Sequence, residues 1–146
     1  MEYRVMEEKD IDRVVPVYID YYNNHEDCQW TRKTTYKRIH QVWNREDSLC
    51  LILEEGDEVL GFAMGYFEQY EDLSAYDLVE IVIDYKYQNK GLGTKFMEEI
   101  EHRVIALGGK LIQLEAVNDE AHERFYDRLK YQTAGNLLLK SKFIGE

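Results

Sequence analysis

The segment Gln88 to Thr94, with the sequence Gln-Asn-Lys-Gly-Leu-Gly-Thr, holds the residues whose types and spacing most directly predict a chemistry. It follows an apolar run, residues 78–83, and precedes an amphipathic run, residues 92–107, which is the order strand, glycine loop, helix. N–H groups at a helix start lack partners within the helix and attract anions, phosphates above all. Glycines allow such a ligand to approach the backbone closely. The sequence therefore predicts a phosphate-bearing cofactor near residue 91.

Three kinds of glycine loop bind phosphates, and their spacing separates them. A P-loop requires Lys and then Ser or Thr after its last glycine, whereas Gly93 is followed by Thr94 and Lys95 in the reverse order. A dinucleotide fingerprint requires three glycines in an early βαβ unit, whereas this loop has two and lies past the middle of the chain. The third pattern, Gln/Arg-x-x-Gly-x-Gly/Ala, fits residues 88–93 at every fixed position.

On these residues the chain resembles the GNAT superfamily of acetyl-CoA-dependent N-acetyltransferases, and the resemblance covers almost the whole chain. Residues 59–63, Val-Leu-Gly-Phe-Ala, are similar to the third strand of the family. Asn118, Ala121 and residues 124–126, Arg-Phe-Tyr, match its Asn-x-x-Ala-x-x-x-Phe-Tyr signature. Lys130-Tyr131 stands where the family usually has Gly and then Phe or Tyr. The resemblance implies the cofactor acetyl-CoA (coenzyme A) and the transfer of its acetyl group to an amine.

The resemblance also implies how the cofactor is held. Backbone N–H groups of the loop would bind the pyrophosphate, and the pantetheine arm would pair with the fourth strand like an added strand. A backbone N–H near Val82 would meet the oxyanion. Asn118 would bond the arm from the other side, and it is also predicted to be the N-cap of the next helix. The predicted cofactor-binding residues are Ile81, Val82, Ile83, Gln88, Asn89, Lys90, Gly91, Leu92, Gly93, Thr94, Asn118 and Phe125.

Two residues are candidates for proton transfer. Tyr126 stands where members of the family often carry a tyrosine that reaches the cofactor sulfur, and it would protonate the leaving thiolate. Glu80 lies in an apolar strand, where a carboxylate is unexpected unless it is used or paired, and we predict that it takes the proton of the amine. A solvent-facing Glu80 is the alternative. Glu115 and Asp77 are weaker candidates for the base.

The segments 21–30 and 66–72 combine aromatic residues with carboxylates, which suits a cationic amine. We therefore predict a small-molecule acceptor of aminoglycoside or polyamine type. The alternative substrate is a protein N-terminus or lysine. The alternative outside enzymes is a non-catalytic acyl-CoA-binding protein.

The composition excludes several classes of function. The net charge is −11, from 18 basic and 29 acidic residues, which argues against a nucleic-acid partner and would help to attract a cation. Only Cys28 and Cys50 are present, so we expect no disulfide framework and a reduced, cytoplasmic setting. The chain has no apolar run long enough for a membrane span, and its scattered histidines predict no metal site. By analogy with similar domains we expect a homodimer.

The periodicity of apolar residues predicts a single domain over residues 1–146. Its class is α+β, with a mixed, mostly antiparallel sheet of about seven strands flanked by four helices. Pro16 is expected to kink or divide the first helix. The predicted helices cover residues 8–23, 31–44, 92–107 and 119–130. The predicted strands cover residues 2–6, 48–54, 58–67, 76–84 and 110–117, with two more short strands within 131–144.

Overall fold

The computed structural model describes residues 1–145, which belong to two units, one covering Met1–Glu115 and the other beginning at Ala116. Single turns of 3-10 helix cover Glu8–Asp10 and Tyr85–Tyr87. The other elements, in chain order, are β1 (Glu2–Val5), α1 (Ile11–His25), α2 (Arg32–Trp43), β2 (Ser48–Glu55), β3 (Glu58–Gln69), β4 (Ser74–Ile83), α3 (Leu92–Ala106), β5 (Leu111–Leu114) and α4 (Glu120–Arg128).

The first unit is built on a sheet whose strands follow the order β1-β2-β3-β4-β5. The pairs from β1 to β4 are antiparallel, and β5 joins β4 in parallel. A parallel neighbour requires a crossover, and α3 supplies it. The predicted α+β class with four helices and a mixed, mostly antiparallel sheet is confirmed. The predicted number of about seven strands is wrong, because the described residues form five.

The two missing strands were expected within residues 131–144, where no strand forms up to residue 145. Apolar side chains in this segment face solvent, with Leu138 85% and Phe143 99% exposed. A strand needs a neighbouring strand to pair its backbone groups as well as a suitable composition. The composition of this segment is suitable, but nothing in the sequence could show that the pairing would be absent here.

The helix α1 is continuous through Pro16, so the expectation that this residue divides the helix is wrong. Pro16 lies on the exposed side of the helix. A proline removes one hydrogen bond of the helix, and the carbonyl that loses its donor can be solvated on that side. The buried side of α1 includes Ile11, Val14 and Tyr18. None of the helices described is long and apolar enough to cross a membrane.

The sheet carries helices on both faces. One face is covered by α1 and α2, whose Tyr18 and Ile39 belong to a buried cluster with Ile52 and Phe62 of the sheet. On the other face, Phe96 of α3 makes an edge-to-face ring contact with Tyr3 at 5.1 Å between centroids. Tyr3 pairs with Leu53, which follows Ile52 on β2, and successive strand residues point to opposite faces. We call the surface under α1 and α2 the first face.

Candidate functional site

The strand β4 contains a bulge in its middle. Met64 of β3 pairs with Glu80, but the next residue, Gly65, pairs with Leu78. Val79 is therefore an extra residue with no partner of its own on β3. A bulge of this kind shifts the alternation of side chains by one position. It thus changes which residues of β4 share a face.

The bulge places Asp77 and Glu80 on the same face of the sheet. In a regular strand, two residues three positions apart point to opposite faces. Here Glu80 pairs with Met64 and Asp77 pairs with Tyr66, and these partners are two positions apart on β3. Met64 belongs to the cluster under α1 and α2, and Tyr66 packs against it. Both carboxylates therefore lie on the first face.

Glu80 is held by one residue from each of the two helices. The Arg38 Nη2 atom donates a hydrogen bond to Glu80 Oε1 at 2.9 Å, and the Tyr22 hydroxyl donates to Glu80 Oε2. The Glu80 side chain is only 13% exposed, so the solvent-facing alternative is wrong. Burial, together with the Glu80 charge, raises the pKa of Tyr22, which keeps its hydroxyl protonated as a donor. Glu80 is thus paired with a cation and a hydroxyl.

Aromatic side chains surround this ion pair. The Tyr18 ring lies 4.6 Å from that of Tyr22 and 5.1 Å from that of Trp30, measured between centroids. The Arg38 guanidinium carbon lies 5.8 Å from the Trp30 ring centroid. The Asn23 amide exchanges two hydrogen bonds of 2.8 Å with the backbone of Trp30 and so fixes the connection between the helices. This connection is part of the predicted acceptor segment, and the structure brings it beside Glu80.

Asp77 has a different environment from Glu80. The Gln113 amide donates to Asp77 Oδ1 at 2.7 Å and to the Tyr70 hydroxyl at 2.9 Å, and that hydroxyl donates to Glu68 at 3.0 Å. The Asp77 Oδ2 atom is buried and accepts no hydrogen bond from the described residues. Burial and the nearby Glu68 raise the pKa of Asp77, and they outweigh the Gln113 hydrogen bond and the Arg45 charge, which lower it. The pKa of Asp77 is therefore higher than that of an ordinary aspartate.

The glycine loop adopts the geometry that its sequence predicts. Gly91 is the N-cap of α3 and has a φ of 79°, in the left-handed region that favours glycine. Asn89 also has a positive φ, 63°. The Gln88 side chain donates to the Ile83 carbonyl at 3.0 Å and so ties the loop to the end of β4. The N–H groups of residues 92–94 form the first turn of α3, where no intrahelical partner exists.

The end of β4 has a free edge beside this loop. Pairing between β4 and β5 begins at Ala75 with Leu111 and ends at Leu78 with Leu114. Beyond Leu78, the described part of β4 pairs only with β3. Its edge on the β5 side therefore carries backbone groups that no strand of the sheet uses. The predicted cofactor-binding residues Ile81, Val82 and Ile83 lie in this segment, and Gln88 follows them closely in the chain.

A ring stack connects the end of α1 to the start of the loop region. The rings of His25 and Tyr85 are 3.6 Å apart between centroids and 4° from parallel. His25 is the last residue of α1, and Tyr85 begins the 3-10 turn that leads to Gln88. The helix that carries Tyr22 is thus in direct contact with the turn that leads into the glycine loop.

The second unit contains α4 and the predicted residues Asn118, Phe125 and Tyr126. The N-cap of α4 is Asp119, whose side chain accepts from the His122 N–H at 2.8 Å, so the prediction that Asn118 caps this helix is wrong. The Tyr126 ring contacts that of Phe125 at 4.9 Å between centroids. The cofactor roles of Asn118 and Phe125 and the acid role of Tyr126 remain predictions.

Sequence reasoning missed Arg38 and could not show that Asp77 shares a face with Glu80. Arg38 lies 42 residues before its partner Glu80, and no local pattern distinguishes it from the other basic residues of α2. Asp77 is separated from Glu80 by an odd number of positions, which indicates opposite faces unless a bulge is known. Glu115, the other weak candidate, is exposed just after β5.

The sequence model of the Acetyltransferase (GNAT) family matches residues 12–131, and the chain belongs to this family. The resemblance inferred from the glycine loop and the Asn-Phe-Tyr signature is thereby confirmed. An uncharacterized N-acetyltransferase of Archaeoglobus fulgidus is 25% identical over 118 residues, which are 78% of this chain and 80% of that protein. Membership establishes an acetyltransferase, and with it acetyl transfer in general.

Solved structures agree on the fold. A possible acetyltransferase from Clostridium difficile has a TM-score of 0.84 at 13% identity, with 99% of this chain and 98% of that chain covered. A predicted acetyltransferase from Clostridium acetobutylicum, solved with acetyl-CoA, has a TM-score of 0.77 at 14% identity, with 96% and 95% covered. At these identities the likeness shows the fold alone.

Proposed function

We propose that this protein transfers the acetyl group of acetyl-CoA to a primary amine, with both substrates bound at once and the amine attacking directly. The observation that carries the proposal is the free edge of β4 beyond Leu78, next to the glycine loop at the start of α3. The loop offers unpaired N–H groups to a pyrophosphate. The strand edge offers backbone groups to an extended, amide-bearing arm. These two features suit the two polar parts of coenzyme A.

The residues proposed to hold the cofactor follow from this arrangement. The backbone of residues 88–94 would bind the pyrophosphate, with Lys90 adding a positive charge at the surface. Ile81 and Ile83 would pair with the arm through their backbone groups. The acetyltransferase of C. acetobutylicum, which has this fold, was solved with acetyl-CoA. Asn118 and Phe125 are proposed to contact the arm because they match the signature of the family.

Each chemical step has a proposed residue. Bound acetyl-CoA supplies the acetyl group as a thioester. A carboxylate on the first face of β4 takes one proton from the acceptor ammonium and so frees the nitrogen lone pair. A backbone N–H near Val82 donates to the carbonyl oxygen as that atom gains negative charge. Tyr126 donates a proton to the sulfur as the carbon–sulfur bond breaks, and it regains a proton from the nitrogen that has formed the amide.

The acceptor is proposed to be a small cationic amine. Tyr22 and Trp30 present aromatic rings beside Glu80, and Glu68 and Asp77 add carboxylates further along the same face. Ring faces and carboxylates both attract an ammonium group. The net charge of −11 also raises the concentration of cations near the protein. Aminoglycosides and polyamines combine these properties.

Thermal unfolding with acetyl-CoA, NAD or ATP tests the cofactor. A ligand at about 100 times its Kd adds roughly 2.7 kcal/mol to the free energy of unfolding. For a domain of this size the midpoint should rise by roughly 5–10 °C. We expect the rise with acetyl-CoA alone, and we expect Gly93→Val to fold but to lose it. An equal rise with NAD or ATP, or none with acetyl-CoA, contradicts the proposed function.

Release of free thiol from acetyl-CoA tests the acceptor. Spermidine, kanamycin and a peptide with a free N-terminus and a lysine represent the three amine classes. We expect acetylation of spermidine or kanamycin to exceed that of the peptide. A preference for the peptide would shift the proposed substrate to proteins. Cofactor binding without thiol release from any amine would indicate a non-catalytic acyl-CoA-binding protein.

A further inference from the structure

We propose that the two carboxylates of the first face have different roles, with Asp77 as the proton acceptor for the amine and Glu80 as a positioning residue. This inference rests on the proposed function and replaces the sequence-based prediction that Glu80 is the base. It follows from the bulge at Val79, which brings both carboxylates to one face, and from their different partners.

Glu80 is already committed to contacts within the protein. Arg38 and Tyr22 each bond one of its two oxygens, so both oxygens already carry a hydrogen bond within the protein. A carboxylate and a guanidinium form a charge-assisted hydrogen bond, which protonation of the carboxylate would weaken. The Glu80 side chain is largely buried, at 13% exposed, whereas that of Arg38 is 38% exposed. Protonation of Glu80 would leave the Arg38 charge without a counterion.

The same contacts explain what Glu80 can do as a positioning residue. They join α1 and α2 to β4 immediately after the bulge and just before Ile81, where the strand becomes free on its β5 side. The N–H proposed for the oxyanion, near Val82, belongs to this short segment. Two helices fixed to the strand at this point would hold the segment in place before either substrate binds.

Asp77 has the complementary set of properties. Its Oδ1 accepts from Gln113, which orients the carboxylate, and its Oδ2 is buried with no donor among residues 1–145. A buried oxygen without a donor is destabilised until it receives a hydrogen or a proton. The groups that face Asp77 are Glu68 of β3, Tyr70 of the β3–β4 connection, Gln113 of β5 and Arg45 beyond α2. Of these, Glu68 favours the protonated form, and the Gln113 hydrogen bond and the Arg45 charge disfavour it.

The proton balance of the step is simple. Asp77 carboxylate and the acceptor ammonium become Asp77 carboxylic acid and a neutral amine, with the proton passing through a chain of water molecules, because Asp77 lies roughly 16 Å along β4 from Val82. The N–H bond of the ammonium breaks and its electron pair stays on nitrogen as the nucleophile. Asp77 then returns the proton to solvent. A base whose pKa is raised toward neutral pH is better matched to an amine than an ordinary carboxylate.

Paired isosteric variants test this division of roles in the intact protein. We expect Asp77→Asn to lower kcat about 10²-fold to 10⁴-fold and to remove the limb of the pH–rate profile in which activity rises with pH through the carboxylate range. We expect Glu80→Gln to keep that limb, to lower kcat less than about tenfold and to raise the acceptor KM. Arg38→Met should reproduce Glu80→Gln, and the double variant should be no worse than either. Glu98→Gln, an exposed site on α3, controls for the loss of one negative charge.

Cofactor binding separates failure of this inference from failure of the proposed function. Asp77→Asn and Glu80→Gln should both show the same rise in the unfolding midpoint with acetyl-CoA as the wild-type protein, since neither Asp77 nor Glu80 is proposed to touch the cofactor. If the wild-type protein shows no shift and no thiol release with spermidine or kanamycin, the proposed function itself is at fault. The division of roles is overturned if the wild-type protein is active but Glu80→Gln loses the rise of activity with pH. It is also overturned if Asp77→Asn keeps that rise.

A measurement without turnover tests the same claim. Carboxyl-carbon NMR follows the ionisation of individual aspartates, and the Asp77 carboxyl should titrate at higher pH than exposed aspartates. Glu68→Gln should shift this titration to lower pH, because Glu68 raises the pKa of Asp77. An Asp77 signal that titrates like an exposed aspartate, or that does not respond to Glu68→Gln, would contradict the role assigned to it.

Discussion

Gly65 on β3 lies so close to Asp77 on β4 that a side chain at Gly65 has no space. A Cβ atom added there would be 2.4 Å from the Asp77 carbonyl oxygen and 2.5 Å from the Tyr76 ring. Gly65 also pairs with Leu78, the neighbour of the bulge residue Val79. The glycine therefore permits the close approach of the two strands beside the bulge that places Asp77 and Glu80 on the first face.

Substitution of Gly65 should disturb this region more than an ordinary glycine replacement. We expect Gly65→Ala to lower the free energy of unfolding by about 2–3 kcal/mol, because the strands must separate to admit the methyl group. Urea unfolding measures the change. Gly135→Ala, where no atom lies within 4 Å of the added Cβ, is the control and should change stability by less than about 1 kcal/mol. Equal effects of the two changes would contradict the close contact.

Gly91 and Gly56 form a matched pair for the cofactor loop. Both have positive φ, 79° and 61°, and at both an added Cβ meets nothing within 4 Å. Each substitution by alanine should therefore lower the free energy of unfolding by about 1 kcal/mol through backbone strain. Only Gly91→Ala should also weaken acetyl-CoA binding, by at least about tenfold, because only Gly91 lies in the loop proposed to approach the pyrophosphate. Calorimetric titration with acetyl-CoA decides this, and equal affinities in the two variants would remove Gly91 from the binding site.

Tyr126 is proposed to protonate the leaving sulfur. We expect Tyr126→Phe to lower kcat by about 10²-fold while the Kd for acetyl-CoA stays within about threefold of the wild-type value, because only a proton donor is lost. Tyr131→Phe is the control, since Tyr131 contacts the Tyr126 ring at 5.8 Å and has no proposed role in the reaction. Thiol-release kinetics give kcat for both proteins. Full activity of Tyr126→Phe would exclude it as the acid.

Because of Asp10, the free energy of unfolding should depend on pH in the acidic range. Burial alone would raise the pKa of Asp10, but hydrogen bonds from Arg4, the Glu7 N–H and Arg13 outweigh it and lower the pKa to about 2. The Asp10 side chain is 1% exposed and accepts from both terminal nitrogens of Arg4, at 2.9 and 3.0 Å. Its stabilisation is therefore complete above the unfolded pKa of about 3.9 and is lost as the pH falls toward 2.

The corresponding variant is Asp10→Asn. We expect it to lower the free energy of unfolding by about 3 kcal/mol at pH 7, because two guanidinium groups lose a buried counterion. The difference from wild type should shrink as the pH falls from about 4 to 2. Urea unfolding at pH 7, 4 and 2.5 measures it, with Asp12→Asn on the exposed side of α1 as the control. A difference that does not vary with pH would contradict the ionised state of Asp10.

Much of this protein could be predicted from local sequence. The glycine loop, the strand before it and the helix after it were found because residues 88–93 fix turn geometry within a few positions, as the φ of Gly91 confirms. The bounds of α2 and β3 were found within two residues because their apolar periodicity reports which side is buried. The family followed from two signatures in the expected order.

Tertiary structure decided the rest. The sequence placed Glu80 in an apolar strand, but only packing could show that Arg38 and Tyr22, from two helices far away in the chain, would neutralise and bond it. Only strand register could show the bulge that puts Asp77 on the same face. The unpaired segment near Leu138 likewise depends on the availability of a neighbouring strand. Short-range geometry and periodicity are encoded locally, whereas pairing, register and burial depend on residues that meet only when the chain has folded.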